Sequence, residues 1–250
     1  MIRVVDHPYI VFALSLAVQC GAAYLGDLLR RKIRPVARKV QADFDIVLTA
    51  TLTLLALIIG FSFSMAVSRY DQRKNLEAQE ANAIGTEYVR TDLLPAQDQT
   101  KVRDLLRRYL DQRIQYYRGP ETSAASTDSL KLQAQLWSSV VTVGTAQPTP
   151  VVALVISGMN DVLNSQGYTR AAWLNRIPTA AWELLASTAI LANMLLGYRE
   201  RRTDLLVLVV VPLAVSIALF LISEIDTPHG GVIRVVPNNL VSLSQVIHGR

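Results

Sequence analysis

The chain has 250 residues, 51% of them apolar, with mean hydropathy +0.28, net charge +5 and a pI of about 9.5. The average conceals two populations, four long apolar windows alternating with charged, helix-forming stretches, which excludes an ordinary soluble domain and points to an integral membrane protein with a sizeable polar part. The single cysteine, Cys20, excludes an intrachain disulfide and a thiolate metal site. A basic excess without any RNA or DNA module reads as positive-inside anchoring and contact with anionic lipid, not as nucleic-acid binding.

The first span is predicted over Pro8 to Leu29, with Pro8 at the helix start and no charge before Asp27. Gln19 stands where a lipoprotein signal before Cys20 would need a small residue, so the span is read as retained. A basic connector, Arg30 to Lys39, follows with six cations in ten residues and reads as a lipid-headgroup contact that sets topology.

The second span, Ile46 to Ser68, has 23 uncharged residues. It runs without a turn signal into a charged stretch that still reads as helix, and no proline occurs before Pro95. Unbroken from Ile46 to Leu94, such a rod would be roughly 70 Å long. The next 110 residues, Arg69 to Pro178, contain no convincing span and are predicted as an extramembrane helical region, about 69–176. Within it Val102, Leu105, Leu106, Tyr109, Leu110, Ile114 and Tyr117 recur at helical spacing, which predicts an amphipathic helix over Lys101 to Tyr117. Gly119-Pro120 and the TSAASTDS stretch predict a loop, with Ser126, Thr127 or Asp128 as the next N-cap. Leu132 to Asn160 is uncharged, but Pro148 and Pro150 split it, so it reads as two helices and not as a span.

The third span is predicted over Ile177 to Tyr198, opened by Pro178, and the fourth over Leu205 to Ser223, with Pro212 as a kink. Arg199, Arg201 and Arg202 lie between them. The tail, Glu224 to Arg250, starts with EIDTPHGGVIRVVP, which is rich in turn formers. The fold class is therefore all-α: one membrane unit of four spans with a helical region between the second and third, continuous with the second.

The two short connectors carry nine cations, Arg30, Arg31, Lys32, Arg34, Arg38, Lys39, Arg199, Arg201 and Arg202. The other side carries seven: Arg3, Arg69, Arg73, Lys74, Arg170, Arg176 and Arg234. The count places the connectors in the cytoplasm and the helical region and both termini outside it.

Chemistry-bearing constellations are scarce. His7, His229 and His248 are scattered, no metal-ligand spacing occurs, and neither a phosphate loop nor a nucleophile elbow is found, so no cofactor or enzyme is expected. Glu183 is a carboxylate at the start of a span, a position the helix dipole also favours, while Glu224 and Asp226 read as markers of the water boundary. The second span carries a more specific pattern. Ala56, Gly60, Ser64 and Ser68 recur every four residues, and Thr49 and Thr53 extend the same face. Small residues in one stripe allow close helix packing. Alternatively, several copies surround an axis with this face toward water, and Leu57 and Phe61 form an apolar constriction. Beyond the span come Arg69, Arg73, Lys74, Glu77, Glu80, Asn82, Glu87 and Arg90. Mixed charge is usually a solvated face, yet Ala81, Ala83 and Gly85 around Asn82 suggest close packing about a polar cluster of Arg69, Glu80 and Asn82.

Gly60 to Pro95, GFSFSMAVSRYDQRKNLEAQEANAIGTEYVRTDLLP, resembles the signature of the bestrophin-like domain family of bacterial membrane proteins. Trp137 in LWSSV, Met159 to Asn164 and Arg170 to Pro178 continue the likeness, which covers about Thr53 to Pro237. A more distant similarity is to the bestrophin anion channels, carried by Gly60-Phe61, Ser68-Arg69-Tyr70, Arg176-Ile177-Pro178, and Glu224, Ile225, Asp226, Pro228 and Gly230. The resemblance implies a homopentamer in a bacterial inner membrane, with second spans around a central anion pore. It also implies a neck at Thr53, Leu57 and Phe61, of which only Phe61 keeps the aromatic. It implies a cytosolic helical region, opposite to the charge count, and no calcium clasp, because no acidic cluster follows Asp226. The rival expectation is a non-conducting membrane scaffold or sensor whose extramembrane helices bind a partner.

Overall fold

The computed structural model describes residues 4–32, 38–119, 123–199, 205–228 and 231–249. Arg3, Arg34, Pro120, Arg201, Arg202, His229 and Gly230 lie outside them. The protein is all-α, and the described residues contain no strand. Eight helices follow in order: α1 (Pro8–Lys32), α2 (Arg38–Arg90), α3 (Ala96–Arg118), α4 (Ser123–Ala146), α5 (Pro150–Leu174), α6 (Thr179–Arg199), α7 (Leu205–Asp226) and α8 (Asn238–His248).

Among the described residues four stretches are long and apolar enough to cross a bilayer: Pro8–Lys32, Gln41–Leu93, Pro150–Arg199 and Val209–Asp226. The third contains both α5 and α6. α6 is the span, because its only charges are Glu183 and Arg199 near its ends and it packs on α1 and α7. The long rod is observed: α2 is one helix of 53 residues, followed by a 3-10 turn at Thr91–Leu93 before Pro95. The break before α5 falls at Gln147 to Thr149, where Thr149 Oγ1 accepts the Val152 N–H at 3.2 Å and Pro150 takes the first helical position. One expectation is corrected: α4 begins at Ser123, ahead of the N-cap expected at Ser126 to Asp128. After the turn-rich start of the tail comes α8.

The chain forms two compact units, residues 1–69 with 176–234 and residues 70–175 with 235–250. In the first, α1, α6 and α7 pack with the span part of α2 around Val11, Leu55, Leu185, Ala189, Ala192, Val215 and Leu219. Its closest helix contact is between α1 and α6. A Cβ added at Gly197 would overlap the Ala23 carbonyl, and one at Gly26 would overlap Met194 O and stand 2.9 Å from Tyr198 N. Gly26, Ala22 and Ala23 thus supply the small-residue packing surface that membrane helices use in place of a hydrophobic drive. Gln19 on α1 bridges the three spans, taking Asn193 Nδ2 at 3.0 Å and donating to Ser216 Oγ at 3.2 Å.

At the Asp226 end of α7, carboxylates organise the chain. Asp226 accepts the Ile177 N–H with both oxygens at 3.2 Å, and Arg69 approaches it at 3.8 Å. Glu224 accepts the Val232 N–H at 2.7 Å. Both carboxylates are buried, which corrects their reading as markers of the water boundary: each satisfies backbone donors that would otherwise be stranded beside a helix end.

Candidate functional site: the open face of the second span

Helix α2 divides its span lengthwise. Leu48, Leu55, Ser62 and Ala66 are buried, and Leu52, Ile58 and Ile59 are partly buried against the first unit's core. The positions between them, Thr49, Thr53, Ala56, Leu57, Gly60, Phe61, Ser64 and Ser68, are all exposed. Every residue of the stripe singled out from the sequence therefore lies on one face that no other span covers among the described residues. Phe61 is 62% exposed and Leu57 52%. A Cβ added to Gly60 would meet nothing within 4 Å, so no neighbour among the described residues requires glycine there. The Thr53 hydroxyl donates to Thr49 O at 2.8 Å, which satisfies it along the helix. An open depression of about 730 Å³ follows this face from Asp45 to Leu57.

The expected polar cluster is not one site. Arg69 belongs to the first unit and faces Asp226. Glu80 and Asn82 lie in the second unit on different sides of α2, Glu80 fully buried and Asn82 exposed. Glu80 sits at the centre of a network that the sequence pattern only hinted at. Arg113 Nε donates to its Oε1, while Arg113 Nη2, Tyr117 Oη and Thr169 Oγ1 approach Oε2 at 3.3, 3.2 and 3.3 Å. Arg113 lies 4.3 Å from the centre of the Tyr116 ring, and Trp173 packs on both Tyr116 and Tyr117. Burial works against the Arg113 charge, but Glu80 outweighs it and holds the guanidinium more firmly protonated than usual. Burial pushes the Tyr109 and Tyr117 phenols up, and the Glu80 charge adds to the effect.

The neighbouring turns of α2 follow the same logic. Glu77 accepts the Asn239 and Leu240 N–H groups at 2.9 and 3.0 Å and the Asn239 side chain at 2.6 Å, so it caps α8 from outside. Arg73 Nε reaches Ala172 O at 3.4 Å near the end of α5. Gly85 lets α8 approach, since an added Cβ would stand 3.0 Å from Leu243 Cδ1. Arg73, Glu77, Glu80, Ile84, Glu87 and Thr91 are thus one buried face. The default reading of mixed charge as a solvated face is corrected here; Ala81 is buried and Gly85 faces Leu243, while Asn82, about which Ala81, Ala83 and Gly85 were expected to pack, is exposed. Glu183, the other candidate carboxylate, is exposed on α6. Among the described residues no group of three or more His, Cys, Asp or Glu side chains is placed to hold a metal.

A family model described as the bestrophin-like domain matches residues 12–240. The chain belongs to the bestrophin-like domain family. No curated protein matches the sequence. Among solved structures, this bestrophin-like chain is similar to a bacterial bestrophin homologue from Klebsiella pneumoniae. The structure phased from zinc gives a TM-score of 0.69 at 14% identity, covering 96% of this chain and 97% of that one. A point variant of the homologue gives 0.70 at 14% identity over 96% and 97%. A variant described as a membrane protein gives 0.67 at 15% identity, over 96% of each chain. At these identities the likeness establishes the fold.

Proposed function

We propose that this bestrophin-like protein is an oligomeric passive anion channel, with copies of α2 surrounding a shared axis and chloride as the permeant ion. The observation that carries the reading is the open face of the second span. Its small, hydroxylated and aromatic positions are exposed, and among the described residues nothing stands within 4 Å of a Cβ added at Gly60. Hydrocarbon gives a face of small and hydroxylated residues neither close packing nor water, whereas an axis shared between subunits gives that face both. Thr53, Leu57 and Phe61, four residues apart, would form the neck, with Phe61 as the apolar constriction that gates by dewetting. Ala56, Gly60, Ser64 and Ser68 would flank it. Assembly as a pentamer in a bacterial inner membrane follows from the same family reading.

Planar-bilayer recording of the purified protein tests the proposal. Chloride current that rises in Phe61→Ala is the expected result. A monomer in detergent by mass measurement makes the axial pore untenable, because a single chain has no second copy to close it.

A second reading, a non-conducting scaffold or sensor, draws support from Thr53 and Leu57, which replace aromatic neck positions, and from Trp137, Leu154 and Tyr168, which are exposed on α4 and α5. A silent bilayer with a well-formed oligomer favours it.

A further inference from the structure

Helices α1 and α6 run side by side in the same direction. Near their C-termini the backbones touch, with Gly26 against Met194 and Ala23 against Gly197. Toward their N-termini the small residues give way to Val11, Leu14, Trp182 and Leu185, whose bulk does not allow that approach. A cleft of about 350 Å³ lies there between the two helices, with Leu219 of α7 also lining it. Of the lining residues, Val11, Leu185 and Leu219 are buried, whereas Leu14, Val18 and Ala186 are exposed. The cleft therefore opens sideways, out of the span, where the bilayer lies.

Its walls ask for an apolar occupant. The polar side chains Ser15 and Gln19 are engaged inside the protein: Ser15 Oγ donates to Phe12 O at 3.0 Å, and Gln19 is held by Asn193 and Ser216. A polar ligand would lose its hydration there without compensation. From the start of α1 to Gln19 the helix rises roughly 16 Å, about half of a hydrocarbon core of about 30 Å. Spread over that length, the cleft has a cross-section on the order of 20 Å². That width admits one extended hydrocarbon chain and excludes a helix of a second copy, which is about 10–12 Å across.

The end away from Gln19 is charged. It reaches Val5, ahead of α1, and Trp182, in the first turn of α6, a ring type that favours the headgroup level. Asp6 follows Val5 and pairs with Arg176, both partly exposed, and Glu183 follows Trp182 and is exposed. One guanidinium and two carboxylates suit a headgroup that carries an ammonium as well as a phosphate, and disfavour one that is only anionic.

We propose that this cleft binds one acyl chain of a zwitterionic, amine-bearing phospholipid from the leaflet at the N-terminal end of α1. The headgroup lies over Asp6, Arg176 and Glu183, and the chain runs inward toward Gln19.

The test is native mass spectrometry of the full chain, purified and delipidated in detergent, then titrated with dioleoylphosphatidylethanolamine or dioleoylphosphatidylglycerol. The expected result is one phosphatidylethanolamine retained per chain, held about fivefold more tightly than phosphatidylglycerol, as one unfavourable charge at the membrane surface implies. Ala186→Phe fills the cleft from the α6 rim and should weaken retention about tenfold or more, since several methylenes lose their apolar contacts. Val18→Phe does the same from the α1 rim and keeps the test available if the first variant does not fold. Leu184→Phe, exposed on α6 but outside the cleft, should retain the lipid as the wild type does. No retained lipid, filled variants that bind as tightly as the wild type, or phosphatidylglycerol held as tightly as phosphatidylethanolamine overturns the proposal. An equal loss in Leu184→Phe overturns it as well, because retention would then report on the whole lipid-facing surface.

Discussion

Replacing Arg113 by methionine isolates the buried centre of the second unit. Glu80 is fully buried and Arg113 is 2% exposed, so the variant leaves a carboxylate with only the Tyr117 and Thr169 hydroxyls for support. Removing one partner of a buried ion pair costs about 3–5 kcal/mol, because the remaining charge is stranded. For a chain of this size that corresponds to a midpoint drop of about 6–20 °C. Methionine keeps most of the side-chain volume under Tyr116 and Tyr117, so the loss reports on charge more than on packing. The assay is thermal unfolding of the full chain in detergent, run as a double-mutant cycle with Glu80→Leu. Each single variant should be strongly destabilised, and the double variant should recover most of the loss, since apolar replacement of a whole buried pair is often neutral. A loss under about 1 kcal/mol in Arg113→Met would refute the reasoning, as would a double variant as unstable as the sum of the singles.

The glycines of the first unit separate two roles. Gly197→Ala should destabilise by about 1–3 kcal/mol through overpacking against Ala23, whereas Gly60→Ala should unfold no earlier than the wild type and gain up to about 1 kcal/mol of helix propensity; thermal unfolding of both variants side by side checks the pair. For topology, a reporter fused after Gly119 should show periplasmic phosphatase activity if the Lys and Arg count sets orientation, and cytoplasmic fluorescence there would reverse that assignment.

Much of the architecture was legible because membrane helices announce themselves by length and charge. The four spans, the unbroken α2 and the proline break before α5 needed only hydropathy, helix rise and proline chemistry. The charged continuation of α2 was harder to read. Arg73, Glu77 and Glu80 look like a solvated face by composition, and only their partners reveal otherwise: Ala172, Asn239 and Arg113 come from 99, 162 and 33 residues away. Similarly, Glu224 and Asp226 look like an exit into water until the backbone donors of Val232 and Ile177 are seen beside them.

For the candidate site, the sequence by itself determined the periodic stripe of the second span, because a four-residue repeat of small and hydroxylated side chains is a local property of one helix. Whether that stripe packs against the chain's own spans was not a local property. The tertiary structure decided it by giving the close contact to α1 and α6, where Gly26 and Gly197 let backbones touch, and by leaving Thr53, Leu57, Gly60 and Phe61 uncovered. The physical reason is that membrane helices choose partners by close packing and interhelical hydrogen bonds and not by hydrophobicity: many faces carry small residues, and which of them meet depends on the fit of all four spans together.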